Sequence, residues 1–92
     1  MNVMQKIERR LARLRPSRIE LADDSGLHAG HAGAGGGGHF RLTIVSAQFT
    51  GKSTLARHRM IYDALGPMMQ QEIHALAIRA NAPEETDVQS QP

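Results

Sequence analysis

The chain has no cysteine among its 92 residues, which excludes a disulfide-stapled scaffold and means that this protein can offer no thiolate to a metal. It also lacks any apolar run near the ~20 residues of a membrane span. The residues after Met1 pass straight into a Lys- and Arg-containing stretch, without the apolar segment of about 7–15 residues that marks a secretory leader. A cytoplasmic protein with no membrane partner is expected. Carboxylates are scarce in the body of the chain, because Glu84, Glu85 and Asp87 fall in the final ten residues. Met1 to Ala82 therefore carries 11 Lys and Arg against 6 Asp and Glu, a net +5. That mild basicity admits nucleic acid as a partner. A chain this short buries only about two thirds of its unfolded surface, which favours a binding or carrier role over a multi-step enzyme.

What is present divides into clear segments. Val3, Met4, Ile7, Leu11 and Leu14 recur at spacings of three and four between Lys6, Arg9, Arg10 and Arg13, the pattern of an amphipathic helix that Pro16 ends. Ile19 and Leu21 alternate with Arg18 and Glu20 in a short strand that stops at Asp23 and Asp24. Ser25 to Gly38 holds seven glycines and reads as a flexible Gly/His loop. Phe40, Leu42 and Ile44 alternate with His39, Arg41 and Thr43 in a second strand over His39–Ser46. Ser53 caps a helix in which Leu55, Ile61 and Leu65 are expected on one face, and Gly66-Pro67 breaks it. Met68 to Ile73 reads as a further helical turn or two, and His74 to Arg79 as a third strand.

These elements predict one α+β domain over residues 1–82 of order αββααβ, a three-stranded mixed sheet with helices on one face. The first two strands are expected antiparallel, and the helical crossover makes the second and third parallel. Residues 83–92 are polar and acidic, and are expected to form a disordered tail.

Ser46-Ala-Gln-Phe-Thr-Gly51-Lys52-Ser53 has the strand-to-helix context of a phosphate-binding loop but Ser46 in place of its first glycine. Bulky Phe49 argues instead for a turn with Phe49 in the core and Ser53 as cap. Gly30-His31-Ala32-Gly33 spells GxxG, but it falls between strands, whereas a nucleic-acid clamp of that spelling lies between helices. Ser46, Ser53, His58 and Asp63 have the residue types of a hydrolytic triad without any arguable oxyanion site, so no enzyme is expected.

The five histidines carry more information, since neutral imidazole suits Fe, Zn and Cu. His28 and His31 form an HxxH on the loop, readable as ligands or as solvated side chains. His74 shares parity with Leu76 and Ile78, which gives a partly buried structural histidine as its plainer reading. Arg57-His58-Arg59 is either a basic helix face or an internal hydrogen-bonding cluster.

Ser25-Gly26-Leu27-His28-Ala29-Gly30-His31, His39-Phe40-Arg41, Phe49-Thr50-Gly51-Lys52 with Arg57-His58-Arg59-Met60-Ile61, and His74-Ala75-Leu76-Ala77-Ile78 occur in the order and spacing of the BolA family. The chain resembles that family from the first helix to Pro83, departing from it at Gly35–Gly38, where more polar residues are usual. The resemblance implies a fold akin to type II KH domains and a monothiol glutaredoxin as partner, with which BolA-like proteins bridge a [2Fe-2S] cluster. It implies His28 and His74 as ligands, with His31 as the loop alternative. The remaining ligands would come from the glutaredoxin and its glutathione, giving a mixed, Rieske-like set. No cluster is expected on the chain alone, and the free chain is expected to be a monomer or weak homodimer. Some BolA-like proteins are also DNA-binding regulators, which here implies Lys52, Arg57 and Arg59 as nucleic-acid contacts.

Overall fold

A computed structural model of the chain describes residues 1–25 and 38–85. Helix α1 (Val3–Leu11) starts at a reciprocal cap: the Gln5 N–H donates to Asn2 Oδ1 at 2.8 Å, and the Asn2 N–H donates to Gln5 Oε1 at 3.1 Å. Two otherwise orphan amides are thereby satisfied. Ile7 and Leu11 are fully buried, and a 3₁₀ turn at Ala12–Leu14 buries Leu14 beside them. Arg15 then reverses the chain in left-handed backbone, φ 51° and ψ 55°, one residue before Pro16.

The sheet has the order β1 (Arg18–Asp23), β2 (Gly38–Val45), β3 (Ile73–Asn81). β1 and β2 pair antiparallel, with Ile19 opposite Ile44 and Leu21 opposite Leu42, while β2 and β3 run parallel. This is the mixed α+β sheet that the sequence predicts. Phe40, Leu42 and Ile44 of β2 meet Ile7, Leu11, Ile61, Ala64 and Leu65 in one core. Ile19, Leu21, Leu76 and Ile78 pack at its margin.

Helix α2 (Thr54–Leu65) is capped by Ser53, whose Oγ accepts from the Ala56 N–H at 3.1 Å. Its inward face differs from the expected one, since Leu55 is 61% exposed. Six residues at 100° each place Leu55 about 120° away from Ile61. The position that completes the inward stripe is Arg57, which is buried. The expected third helical element is a 3₁₀ segment, Gly66–Gln70, that carries Met68 into the core.

The loop between β2 and α2 is built as a turn rather than a phosphate cradle. Ser46 and Phe49 are both fully buried, and Ser46 Oγ donates to the Leu14 carbonyl at 2.6 Å. The amides of Gln48, Phe49, Thr50 and Lys52 all donate within the turn, to Ser46 Oγ and the carbonyls of Ser46, Ala47 and Phe49. They are therefore unavailable to a phosphate. Within the expected disordered tail, residues 83–85 form a helical turn, and Glu84 and Glu85 both engage the domain. No helix among the described residues is long and apolar enough to cross a membrane.

Candidate functional site

The start of β3 breaks the regular ladder. Gly38 lies opposite Ile73 but His39 lies opposite Ala75, so His74 is an extra residue in the register. Such a bulge re-aims a side chain and interrupts strict alternation. Ile73 occupies the core at 2% exposure, and His74 turns outward and is exposed. Its parity with Leu76 and Ile78 therefore does not bury it as expected. The outward turn brings His74 beside His39, with ring centroids 5.0 Å apart and planes tilted by 35°.

The neighbouring strand end holds His39 in place. The His39 N–H donates to Ser25 Oγ at 3.0 Å, and its carbonyl accepts from the Asp24 N–H at 2.7 Å. Ser25 is itself fixed by its N–H to Asp23 Oδ1 at 2.9 Å, and the hydrogen bonds from Ser25 lower the Asp23 carboxyl below its ordinary range. Arg41 Nε donates to Asp24 Oδ2 at 2.5 Å, which raises the guanidinium further above its usual value. Gly38 is required for close packing: a Cβ there would stand 2.7 Å from two ring carbons of Phe40 and 2.8 Å from Ser25 Oγ. The backbone beneath the two imidazoles is thus defined by a serine hydroxyl, a glycine and an aromatic ring.

Two exposed or half-exposed imidazoles form a nitrogen donor pair suited to iron, zinc or copper. Among the described residues no group of three or more metal-ligating side chains gathers, so a site here is incomplete without outside ligands. His28 and His31, the loop ligands implied by resemblance, lie outside the described residues. So does the Gly30–Gly33 spelling. His58 stands on α2 with its ring edge-on to Tyr62 at 6.4 Å, remote in sequence and element from the pair.

The nucleic-acid set divides. Lys52 and Arg59 are exposed, but Arg57, expected on the same face, is only 8% exposed and points inward. Its Nε donates to the Lys52 carbonyl at 2.9 Å and its Nη1 to the Ala80 carbonyl at 3.0 Å. Its two terminal nitrogens also grip the Glu85 carboxylate at 2.6 and 2.7 Å. Of the two readings left open for Arg57-His58-Arg59, the internal cluster holds for Arg57. Glu85 in turn accepts from the Ala82 N–H at 2.9 Å, and the Arg57 guanidinium pulls its carboxyl down to about 2. A planar, forked, permanently charged group suits this closure of α2, β3 and the following turn.

Sequence reasoning did not find the His39–His74 contact or the Arg57–Glu85 pair. The first depends on a register between strands. The second left a trace, because Arg57 occupies an apolar position of the α2 stripe.

A small α+β protein whose exposed His74 stands beside the half-buried His39 at a sheet end is the class that the fold and site define. The family model described as BolA-like protein matches residues 11–85, and the chain belongs to the BolA family. It is 43% identical over 91 residues to SufE-like protein 1, chloroplastic/mitochondrial, of Arabidopsis thaliana, covering 92% of this chain and 24% of that protein. It is 39% identical over 79 residues to the DNA-binding transcriptional regulator BolA of Escherichia coli (strain K12), covering 85% of this chain and 73% of that one. Among solved structures, the BolA domain of SufE1 from Arabidopsis thaliana superposes with a TM-score of 0.78 at 41% identity, covering 92% of this chain and 98% of that one. The chain thus spans about a quarter of the plant protein, the part corresponding to its BolA domain. It also spans 56% of BolA-like protein 1 of Mus musculus. The relatives named BolA-like protein 1 and DNA-binding transcriptional regulator BolA are not named as enzymes.

Proposed function

We propose that the chain is a cytoplasmic adaptor that binds a monothiol glutaredoxin and supplies imidazole ligands to a [2Fe-2S] cluster shared with it, in cluster assembly, trafficking or iron regulation. The observation that carries this reading is the bulge that turns His74 out of the core beside His39. His74 is the β3 ligand and His28 the loop ligand, with His31 as the loop alternative. His39 stands beside His74, with ring centroids 5.0 Å apart. A chain without cysteine leaves thiolates to the partner and its glutathione, and two imidazoles complete the iron that the thiolates leave open. The cluster is cargo in this reading, and neutral imidazoles hold it only while unprotonated.

The test is visible absorption and circular dichroism of the chain with a monothiol glutaredoxin, glutathione, iron and sulfide. Wild type should change the glutaredoxin cluster spectrum, and His74→Ala should abolish the change. A spectrum that ignores the chain refutes the adaptor reading.

The Escherichia coli relative, named a DNA-binding transcriptional regulator, supports a second reading in which the basic body of this chain binds DNA. The two activities are compatible. Phosphate-based DNA binding should fall steeply with salt, whereas cluster sharing should follow the histidines.

A further inference from the structure

The DNA-binding reading needs a surface, and α2 is poorly suited to be one. Arg57 is committed internally, and Glu84 accepts from Thr50 Oγ1 at 2.8 Å, which places a carboxylate at the turn that leads into α2. Lys52 and Arg59 remain, with Asp63 on the same helix.

Helix α1 and the turn after it have a different balance. Lys6, Arg9, Arg10, Arg13 and Arg15 are all exposed, against the single carboxylate Glu8. At 100° per residue, Lys6, Arg9 and Arg10 fall within an arc of about 100°, and Glu8 lies about 150° from its middle. This flank borders a cleft of about 310 Å³ against the Gly66–Gln70 segment, lined by Lys6, Arg9, Arg10, Pro67, Met68 and Glu72. The one acid there, Glu72, pairs with Lys6 at 3.2 Å. Gly66, at φ 58°, leaves Arg10 room: a Cβ there would sit 3.4 Å from Arg10 Nη1.

Arg15 adds an independent sign. Among the described residues it is the only non-glycine with positive φ. Left-handed backbone is costly for an ordinary residue, and glycine is the usual solution at this position after a helix. The fold alone would favour glycine, yet this chain has an arginine there.

We infer, on the DNA-binding reading above, that the phosphate backbone of a duplex lies along the cationic flank of α1, from Lys6 through Arg15, and not along α2. The stripe from Lys6 to Arg13 is about 10 Å long at 1.5 Å per residue, and that length of duplex axis carries about six phosphate charges. Residues 1–16 contain no aromatic side chain, so the flank offers no stacking platform for single-stranded bases. Contacts of this kind position a duplex without reading its sequence.

The test is fluorescence anisotropy of a labelled 24-base-pair duplex across a salt series. Wild type should bind with a steep slope of log affinity against log salt. Arg9→Gln, Arg13→Gln and Arg15→Gly together should flatten that slope by about two to three units, whereas Lys52→Gln with Arg59→Gln should leave it unchanged. Arg15→Gly alone should weaken binding while keeping or raising the melting temperature, which separates lost contact from lost fold. If the Lys52 and Arg59 pair abolishes binding and the α1 variants do not, the α1 assignment is overturned and DNA binding stands. If wild type does not bind the duplex at low salt, the DNA-binding reading fails and the assignment with it. Tighter binding of polyglutamate than of the duplex, lost in the α1 variants, would instead assign the flank to an acidic protein.

Discussion

The imidazole rings of His39 and His74, on parallel neighbouring strands, face each other at 5.0 Å because one extra residue in β3 breaks the ladder between them. Cluster sharing through such rings requires them neutral. Protons compete with the cluster for the imidazole nitrogen, so the histidine-dependent spectrum of the hetero-complex is expected to weaken with acid. Circular dichroism during an acid titration, run beside His74→Ala, checks this, and identical acid profiles for the two would contradict ligation by His74. His39→Ala should leave a weakened spectrum, because it removes the ring packed beside His74, while His74→Ala should leave none.

Gly38 tests the same geometry from the backbone side. Alanine there meets the Phe40 ring at 2.7 Å and the Ser25 hydroxyl at 2.8 Å, so one of them must move. Gly38→Ala is expected to cost about 1–3 kcal/mol. It should also alter the cluster spectrum although it deletes no ligand. Chemical denaturation and the spectroscopic assay together distinguish this from unfolding.

Arg57 is expected to behave as a structural residue. Arg57→Ala leaves the Lys52 and Ala80 carbonyls and the Glu85 carboxylate without their donor, a loss of about 2–3 kcal/mol. That corresponds to a fall in melting temperature on the order of 10 °C or more. Arg57→Lys should rescue less than half of it, since an ammonium cannot reproduce the bidentate fork. DNA affinity compared at a temperature where the variant remains folded should be unchanged.

Acid should loosen the same closure. The Glu85 carboxyl titrates near 2 in the fold against an ordinary value of 4.5, so its stabilising effect is fully present above about pH 4.5. It is then lost as pH falls from there through 2. Glu85→Gln is expected to lower stability at pH 7 and to flatten the acid limb of a stability-against-pH curve. Urea midpoints measured at pH 7, 4 and 2.5 give the comparison.

Much of this was legible in the sequence. The periodicity of Ile7, Leu11 and Leu14, the alternation of Phe40, Leu42 and Ile44, and the Gly66-Pro67 break each specify an element and its inward face through local chemistry. The mixed sheet follows from where helices interrupt strands. Leu55 was misplaced because hydrophobicity alone suggested a stripe that helical geometry does not support, while the true stripe passes through Arg57. Of the two readings of His74, the partly buried one does not hold, because alternation describes one strand whereas a bulge is a relation between two. The Arg57–Glu85 pair could not be read from a tail that composition marks as polar and acidic.

The parallel pairing of β2 and β3 has a consequence for when the histidine pair exists. β3 reaches β2 only after α2 and the Gly66–Gln70 segment have formed the crossover, and such non-local pairings form late because loop closure precedes their contacts. During synthesis His39 leaves the ribosome before the strand that carries His74. The two rings meet only when the final strand of the sheet docks, so an incomplete or misfolded chain presents no paired imidazoles. On the adaptor reading proposed above, cluster sharing would then await the docked final strand, with the completed sheet acting as the quality check.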